Sequence, residues 1–187
     1  MSRASVPDVH EHTFADYVQL EEDTDIKLEF LDGEIYAMPG GTPLHARLAV
    51  RVSSVLDAQL RGSDCDVYSG DLRVRVLATG MAAHPDVTVV CGQLELDPEN
   101  EHTVSNPRVV VEVLSPSTEK FDRGTKSQHY RQIPSLGAIV LVAQRERRIE
   151  VCRREADGTW VTTSSGPGDS AAIDAIGCTL AVDDVYA

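Results

Sequence analysis

The chemistry this sequence offers starts with a glutamate in the wrong company. Arg108-Val-Val-Val-Glu-Val-Leu-Ser115 reads as a buried strand, yet it carries Glu112 among aliphatics. Strands covered on both faces are near-continuous Val/Ile/Leu runs. An ionised carboxylate there loses several kcal/mol of hydration unless a cation, a metal or a donor replaces the water. Asp86, after Pro85, opens a second apolar run, Val87-Thr-Val-Val-Cys91. If the two runs are antiparallel neighbours, the start of one meets the end of the other and the carboxylates converge. Two acidic side chains and a backbone carbonyl form a hard-oxygen site suited to magnesium or manganese, and such an ion removes the burden of the buried charge. Downstream, Asp122, Lys126 and Tyr130 are spaced four apart and so line one face of a helix. Lys126, about a turn into that helix, reaches back over Glu112. A lysine in that place orients or deprotonates a water, or stabilises charge developing on a phosphate.

Each of these residues also has a plainer reading. Glu112 could be a buried ion-pair partner of Lys126 or of an arginine, although that alone is a poor reason to bury a carboxylate. Asp86 could bond backbone amides where its strand begins. Lys126 could be a solvated lysine paired with Asp122; Lys120 competes with it but lacks the Asp–Lys–Tyr spacing. The arginines at 73, 75, 145, 147, 148, 153 and 154 could meet phosphate, or be solvated on polar strand faces.

The elements that must position these groups follow from periodicity. Thr13 caps a short amphipathic helix to Glu22. Lys27 to Leu31 and Glu34 to Met38 flank Asp32-Gly33, a hairpin signal. Thr42-Pro43 opens a helix in which Leu44, Leu48, Val52, Val55, Leu56 and Leu60 recur at helical spacing until Gly62. Cys65 to Ser69 and Asp71 to Leu77 read as strands, the second alternating arginine with aliphatics and hence keeping one wet face. Ala78 to Ala83 is expected to be a turn, and Gly92 to Asn106 an exposed acidic loop. A helix is expected over about 122–133, ended by Pro134, then a buried strand at Ala138 to Ala143. A second hairpin turns at Asp157-Gly158. The order helix, β, β, β, helix, β across 43–143 describes an α/β sandwich around a mixed sheet, with a hairpin before and another after it. Residues 1–12 are expected to be a loose leader and 13–187 a single domain.

Bulk composition sets limits. The chain has 187 residues, 42% hydrophobic and 25% charged, with net charge −13. That suits a globular domain, and a field of that sign repels nucleic acid unless a local patch overrides it. No apolar run approaches the roughly 20 residues a membrane span needs, and the polar N-terminus has no signal-peptide core. Four scattered cysteines lack zinc spacing, and three of them, in apolar β-like contexts, are expected to be reduced, buried thiols in a cytoplasmic protein.

Taken together, Asp86, then Val-Glu112-Val-Leu-Ser-Pro-Ser-Thr118, then Asp122-x-x-x-Lys126-x-x-x-Tyr130 resemble a bacterial family of restriction-endonuclease-like proteins of unknown function within the PD-(D/E)XK nuclease superfamily. The similarity spans nearly the whole chain, including Leu31-Asp-Gly-Glu-Ile35 and the helix carrying His45. The resemblance implies a restriction-endonuclease-like mixed sheet flanked by helices and a Mg2+- or Mn2+-dependent site hydrolysing DNA phosphodiesters. Asp86 and Glu112 would bind the metal with the carbonyl of Val113, and Lys126 would serve as the superfamily's lysine. Two residues after Glu112 the superfamily pattern has lysine where this chain has Leu114, so the family reading moves that lysine to the helix. Glu29, Glu34 and His45 fall at positions like the family's N-terminal motif, while ordinary exposure explains the two glutamates and capping or packing the histidine. A homodimer is expected, since cutting both strands needs two sites. Two rivals remain: a nuclease-fold binding protein without activity, and a hydrolase of a small phosphorylated molecule, which would suit the negative charge.

Overall fold

The computed structural model describes residues 11–24, 26–38 and 40–187, so most of the expected leader lies outside the described residues. Helix α1 (Phe14–Asp23) begins at a reciprocal cap: the Thr13 hydroxyl accepts from the Asp16 amide, and the Asp16 carboxylate accepts from the Thr13 amide. Strands β1 (Leu28–Leu31) and β2 (Glu34–Ala37) are joined through Asp32 and Gly33 at φ 50° and 78°, the left-handed pair that Asp-Gly accommodates. Helix α2 (Pro43–Leu60) starts under a Thr42 cap and buries Leu48, Val52, Leu56 and Leu60 along one stripe. Then come β3 (Cys65–Ser69), β4 (Arg73–Arg75), β5 (Ala82–Ala83), β6 (Val87–Cys91), β7 (Leu96–Asp97), β8 (Asn100–Val104) and β9 (Val109–Leu114). A three-part helical segment follows: α3 (Glu119–Phe121), a π-turn (Asp122–Lys126) and α4 (Ser127–Tyr130). The chain closes with β10 (Ala138–Ala143), β11 (Ile149–Arg154), β12 (Trp160–Ser165), β13 (Ser170–Ile173), β14 (Cys178–Ala181) and α5 (Val182–Val185).

The central sheet runs β12-β11-β10-β9-β6-β3; β9 pairs in parallel with β10 and antiparallel with β6. Alternation assigns its two faces. Val109, Val111 and Val113 pack with α2, while Val110 and Leu114 pack with Tyr130, Ile133 and Leu136 on the other side. The mixed α/β architecture is therefore as the periodicity predicts.

Several local expectations are corrected. A second six-stranded sheet, β2-β1-β5-β4-β8-β7, lies beside the central one. The acidic stretch 92–106 supplies two of its strands, with Thr103 and Val104 buried. Part of the expected turn at 78–83 becomes β5, which joins β1 to β4. The arginine strand is short and has no wet face. Arg73 pairs with Glu21 and lies over the Tyr17 ring, and Arg75 lies over Phe14; α1 covers what alternation left open. Cys65 and Cys91 are not free thiols: the β3–β6 register sets them opposite each other and they form a disulfide, while Cys152 and Cys178 are free and buried.

Glu21 ties α1 to the second sheet. Its carboxylate accepts from the Leu28 amide at 2.8 Å, meets His84 at 2.9 Å and pairs with Arg73. Burial pushes this carboxyl up, but the His84, Leu28 and Arg73 contacts outweigh burial and hold it at about 2, below its ordinary 4.5. The stability this provides is full above pH 4.5 and is lost as pH falls towards 2, by about 3 kcal/mol in all. Urea unfolding between pH 5 and 2 should show that decline, and Glu21→Gln should remove it.

Candidate active site

Val87, Thr88 and Val89 of β6 pair with Val111, Val110 and Val109 of β9. One step further along that register, Asp86 stands opposite Glu112, which is the antiparallel neighbourhood the two carboxylates need. Glu112 shares the face of Val110 and Leu114, so it points into the layer that holds the π-turn. There Lys126, only 2% exposed, sets its ammonium 2.9 Å from Glu112 Oε1, 2.6 Å from Glu29 Oε1 and 3.9 Å from Asp122 Oδ1. The Glu29 contact is an ion pair outside hydrogen-bonding geometry. The Tyr130 hydroxyl donates to Glu112 Oε1 at 2.8 Å. The π-turn supplies this aim: the Ser127 hydroxyl donates to the Asp122 carbonyl at 2.6 Å, competing for the acceptor a regular α-turn would use. A solvated Lys126 is thus excluded.

Asp86 is held from two sides. The Val113 amide donates to Oδ2 at 2.7 Å, and His45 Nε2 lies 2.7 Å from Oδ1. Val113 is two residues past the Val87–Val111 pair, so its backbone groups turn towards β6 and Asp86. His45 sits in the first turn of α2, its amide donating to the Thr42 hydroxyl. Its Nδ1 is 3.2 Å from Gln144 Nε2, and the Thr42 hydroxyl donates to Gln144 Oε1 at 3.0 Å. An ionised Asp86 only accepts, so the neutral ring carries its proton on Nε2 and offers Nδ1 to the Gln144 amide. Asp86 raises the His45 pKa against the opposing effect of burial, and the Val113 carbonyl adds to the rise. A carboxylate in place of the amide favours the imidazolium further. Gln144→Glu should lift the His45 pKa by about one unit or more, followed by ring NMR shifts against pH; an unchanged midpoint contradicts the contact.

Glu29, Thr42, His45, Asp86, Glu112, Val113, Asp122 and Lys126 line one cavity of about 640 Å³. Four carboxylates, Glu29, Asp86, Glu112 and Asp122, face it with one lysine and one histidine. Burial pushes the Glu112 carboxyl well up, with Lys126 opposing and the neighbouring carboxylates adding; burial likewise raises Asp122. Burial alone would lower Lys126, but Glu112, Tyr130, Glu29 and Asp122 hold it well above its ordinary value. The site is short of positive charge. Among the described residues no three His, Cys, Asp or Glu side chains form a ready metal cluster. The donor set on hand is two carboxylates and the Val113 carbonyl, hard oxygens that fit a divalent ion.

Of the residues singled out in sequence, Asp86, Glu112, Val113, Lys126, Asp122, Glu29 and His45 line this cavity, and Tyr130 reaches it through Glu112. Glu34 does not join them; it is exposed and accepts from the Tyr36 hydroxyl. Leu114, where a lysine was expected, is 2% exposed and packs with Tyr130. Thr42 caps the helix as its Thr-Pro pattern predicts, whereas Gln144, the partner of the His45 ring, is a glutamine after an apolar strand and has no distinguishing spacing.

A mixed sheet flanked by helices, with an acidic pair across two antiparallel strands and a lysine behind it, defines a nuclease-like α/β fold. The crystal structure of a "putative nuclease belonging to DUF820" from Anabaena variabilis shares that fold, with a TM-score of 0.77 over 93% of this chain and 97% of that one, at 17% identity. The chain belongs to the Uma2 family, described as "Putative restriction endonuclease", which matches residues 14–183. Two Synechocystis sp. relatives extend the likeness. Uncharacterized protein slr1290 is 36% identical over 171 residues, covering 91% of this chain and 89% of that protein. Uncharacterized protein sll1609 is 31% identical over 151 residues, covering 81% and 85%.

Proposed function

We propose that this protein is a Mg2+- or Mn2+-dependent endonuclease that hydrolyses DNA phosphodiester bonds. The observation that carries the reading is the convergence of Asp86, Glu112 and Lys126 on one cavity short of positive charge. Membership of the Uma2 family supports it. Asp86, Glu112 and the Val113 carbonyl hold the ion, which when bound supplies Lewis acidity and an acidified water. Lys126 stays protonated among its carboxylates, so it acts as a fixed cation that positions the attacking water and stabilises charge developing on the phosphate. Glu29 and Asp122 hold Lys126 in place, and Tyr130 holds Glu112. His45 keeps Asp86 turned towards the cavity.

The test is cleavage of circular DNA, in duplex and in single-stranded form, with Mg2+ or Mn2+ against an EDTA control, on wild type and Asp86→Asn. Metal-dependent cleavage of at least one form by the wild type alone is expected; no cleavage of either form with either ion contradicts the reading. Leu114 in the strand favours a second reading, a nuclease-fold binding protein without activity, for which DNA would be bound and never cut. The reading also includes a homodimer, checked by light scattering.

A further inference from the structure

The cavity has two kinds of wall. Its charged groups lie deep: Glu112 is 4% and Lys126 2% exposed. The rest is mainly apolar or aromatic, formed by Tyr36, Ala37, Met38, Val113, Pro116 and Phe121 with a few serines and threonines between them, and Tyr36 is 46% exposed. Among the described lining residues Lys126 is the one permanent cation, set against four carboxylates, in a chain of net charge −13.

Duplex DNA is poorly matched to such a place. It is a stiff rod whose phosphates are held by arrays of lysine and arginine, and a phosphate fixed on that rod cannot descend to a carboxylate at the floor of a recess. An unpaired strand can bend in, and its bases offer flat faces that stack on aromatic side chains without needing compensating charge. We propose that the site takes an unpaired DNA strand, one nucleotide entering the cavity with its base against Tyr36 and its phosphate towards Asp86, Glu112 and Lys126. This rests on the nuclease reading for the role of the phosphate and goes beyond it in naming the strand state. The Tyr36 hydroxyl donates to Glu34, which is not among the lining groups.

Binding then comes from the base more than from phosphate contacts, and its salt dependence is shallow. Each phosphate neutralised on a single strand contributes a slope of about −0.7 to log affinity against log salt, so one ammonium predicts a slope of about −0.7.

The experiment is fluorescence anisotropy with labelled oligothymidylate and a blunt duplex of equal length, in Ca2+ to suppress cleavage, beside a Mg2+ cleavage assay on both. Oligothymidylate should bind at least tenfold tighter than the duplex, with a slope of about −0.7. Tyr36→Ala, a surface change, should weaken it about tenfold and Tyr36→Phe should not. Equal or tighter duplex binding, a steep salt slope, an unchanged Tyr36→Ala affinity, or no oligothymidylate binding overturns the inference. The two readings fail separately. Duplex cut as fast as single strand removes this inference and leaves the nuclease. Oligothymidylate that binds through Tyr36 but is never cut, with Mg2+ or Mn2+, supports the strand preference and removes the nuclease.

Discussion

Lys126→Met is expected to destabilise the protein by about 3–5 kcal/mol at neutral pH, the range for breaking a buried ion pair from one side. The ammonium sits among Glu112, Glu29 and Asp122, and removing it leaves three crowded carboxylates without a permanent cation. Glu112 is already raised well above its ordinary value by burial, with Lys126 as the main opposing influence. Without Lys126 that carboxyl rises further. A carboxyl raised in the folded state costs nothing below its unfolded value near 4.5 and progressively more as pH climbs above it. The defect should therefore be small at pH 5 and large at pH 8, measured by urea unfolding at both. A defect independent of pH would mean that Lys126 contributes packing alone. Cleavage should fall at least about a hundredfold, tested at a pH and temperature where the variant remains folded.

Glu112→Gln should do the opposite to stability and the same to activity. Gln keeps the shape and an acceptor for the Tyr130 hydroxyl, while removing one of four carboxylates that compete for too little positive charge. Lys126 retains Glu29 and Asp122. The fold should be as stable as wild type or more so, by up to about 1 kcal/mol, while cleavage drops about a hundredfold or more because an oxygen proposed to hold the metal would lose its charge. Thermal unfolding and DNA cleavage on the same preparation separate the two effects. A variant that loses stability and activity together would assign Glu112 a structural part. The pairing is informative because a purely structural ion pair predicts that both substitutions weaken the fold.

What was legible in the sequence was what local periodicity encodes. The stripe of α2, the run of β9 and the Asp-Gly hairpin each follow from spacing within a few turns or residues. Glu112 stood out because it broke such a pattern, and Asp86 followed once antiparallel pairing was assumed. The second sheet was illegible for the opposite reason. Residues 92–106 are polar and acidic, and only tertiary pairing of β8 with β4 makes strands of them. Arg73 and Arg75 looked solvated because their partners, Glu21, Tyr17 and Phe14, lie more than fifty residues earlier in the chain. The π-turn that aims Lys126 is accompanied by the Ser127 hydroxyl bonded back to the Asp122 carbonyl, which no helical pattern distinguishes. Gln144 meets His45 only because β10 runs parallel to β9 and ends beside the start of α2.

The central claim is that Asp86, Glu112 and the Val113 carbonyl hold a divalent ion beside Lys126. Anomalous diffraction from crystals grown with Mn2+ tests it most directly. One peak per chain, with Asp86 and Glu112 oxygens and the Val113 carbonyl at about 2.0–2.6 Å, is the predicted result. No peak in the cavity at saturating Mn2+, with Lys126 still paired to Glu112, would contradict it.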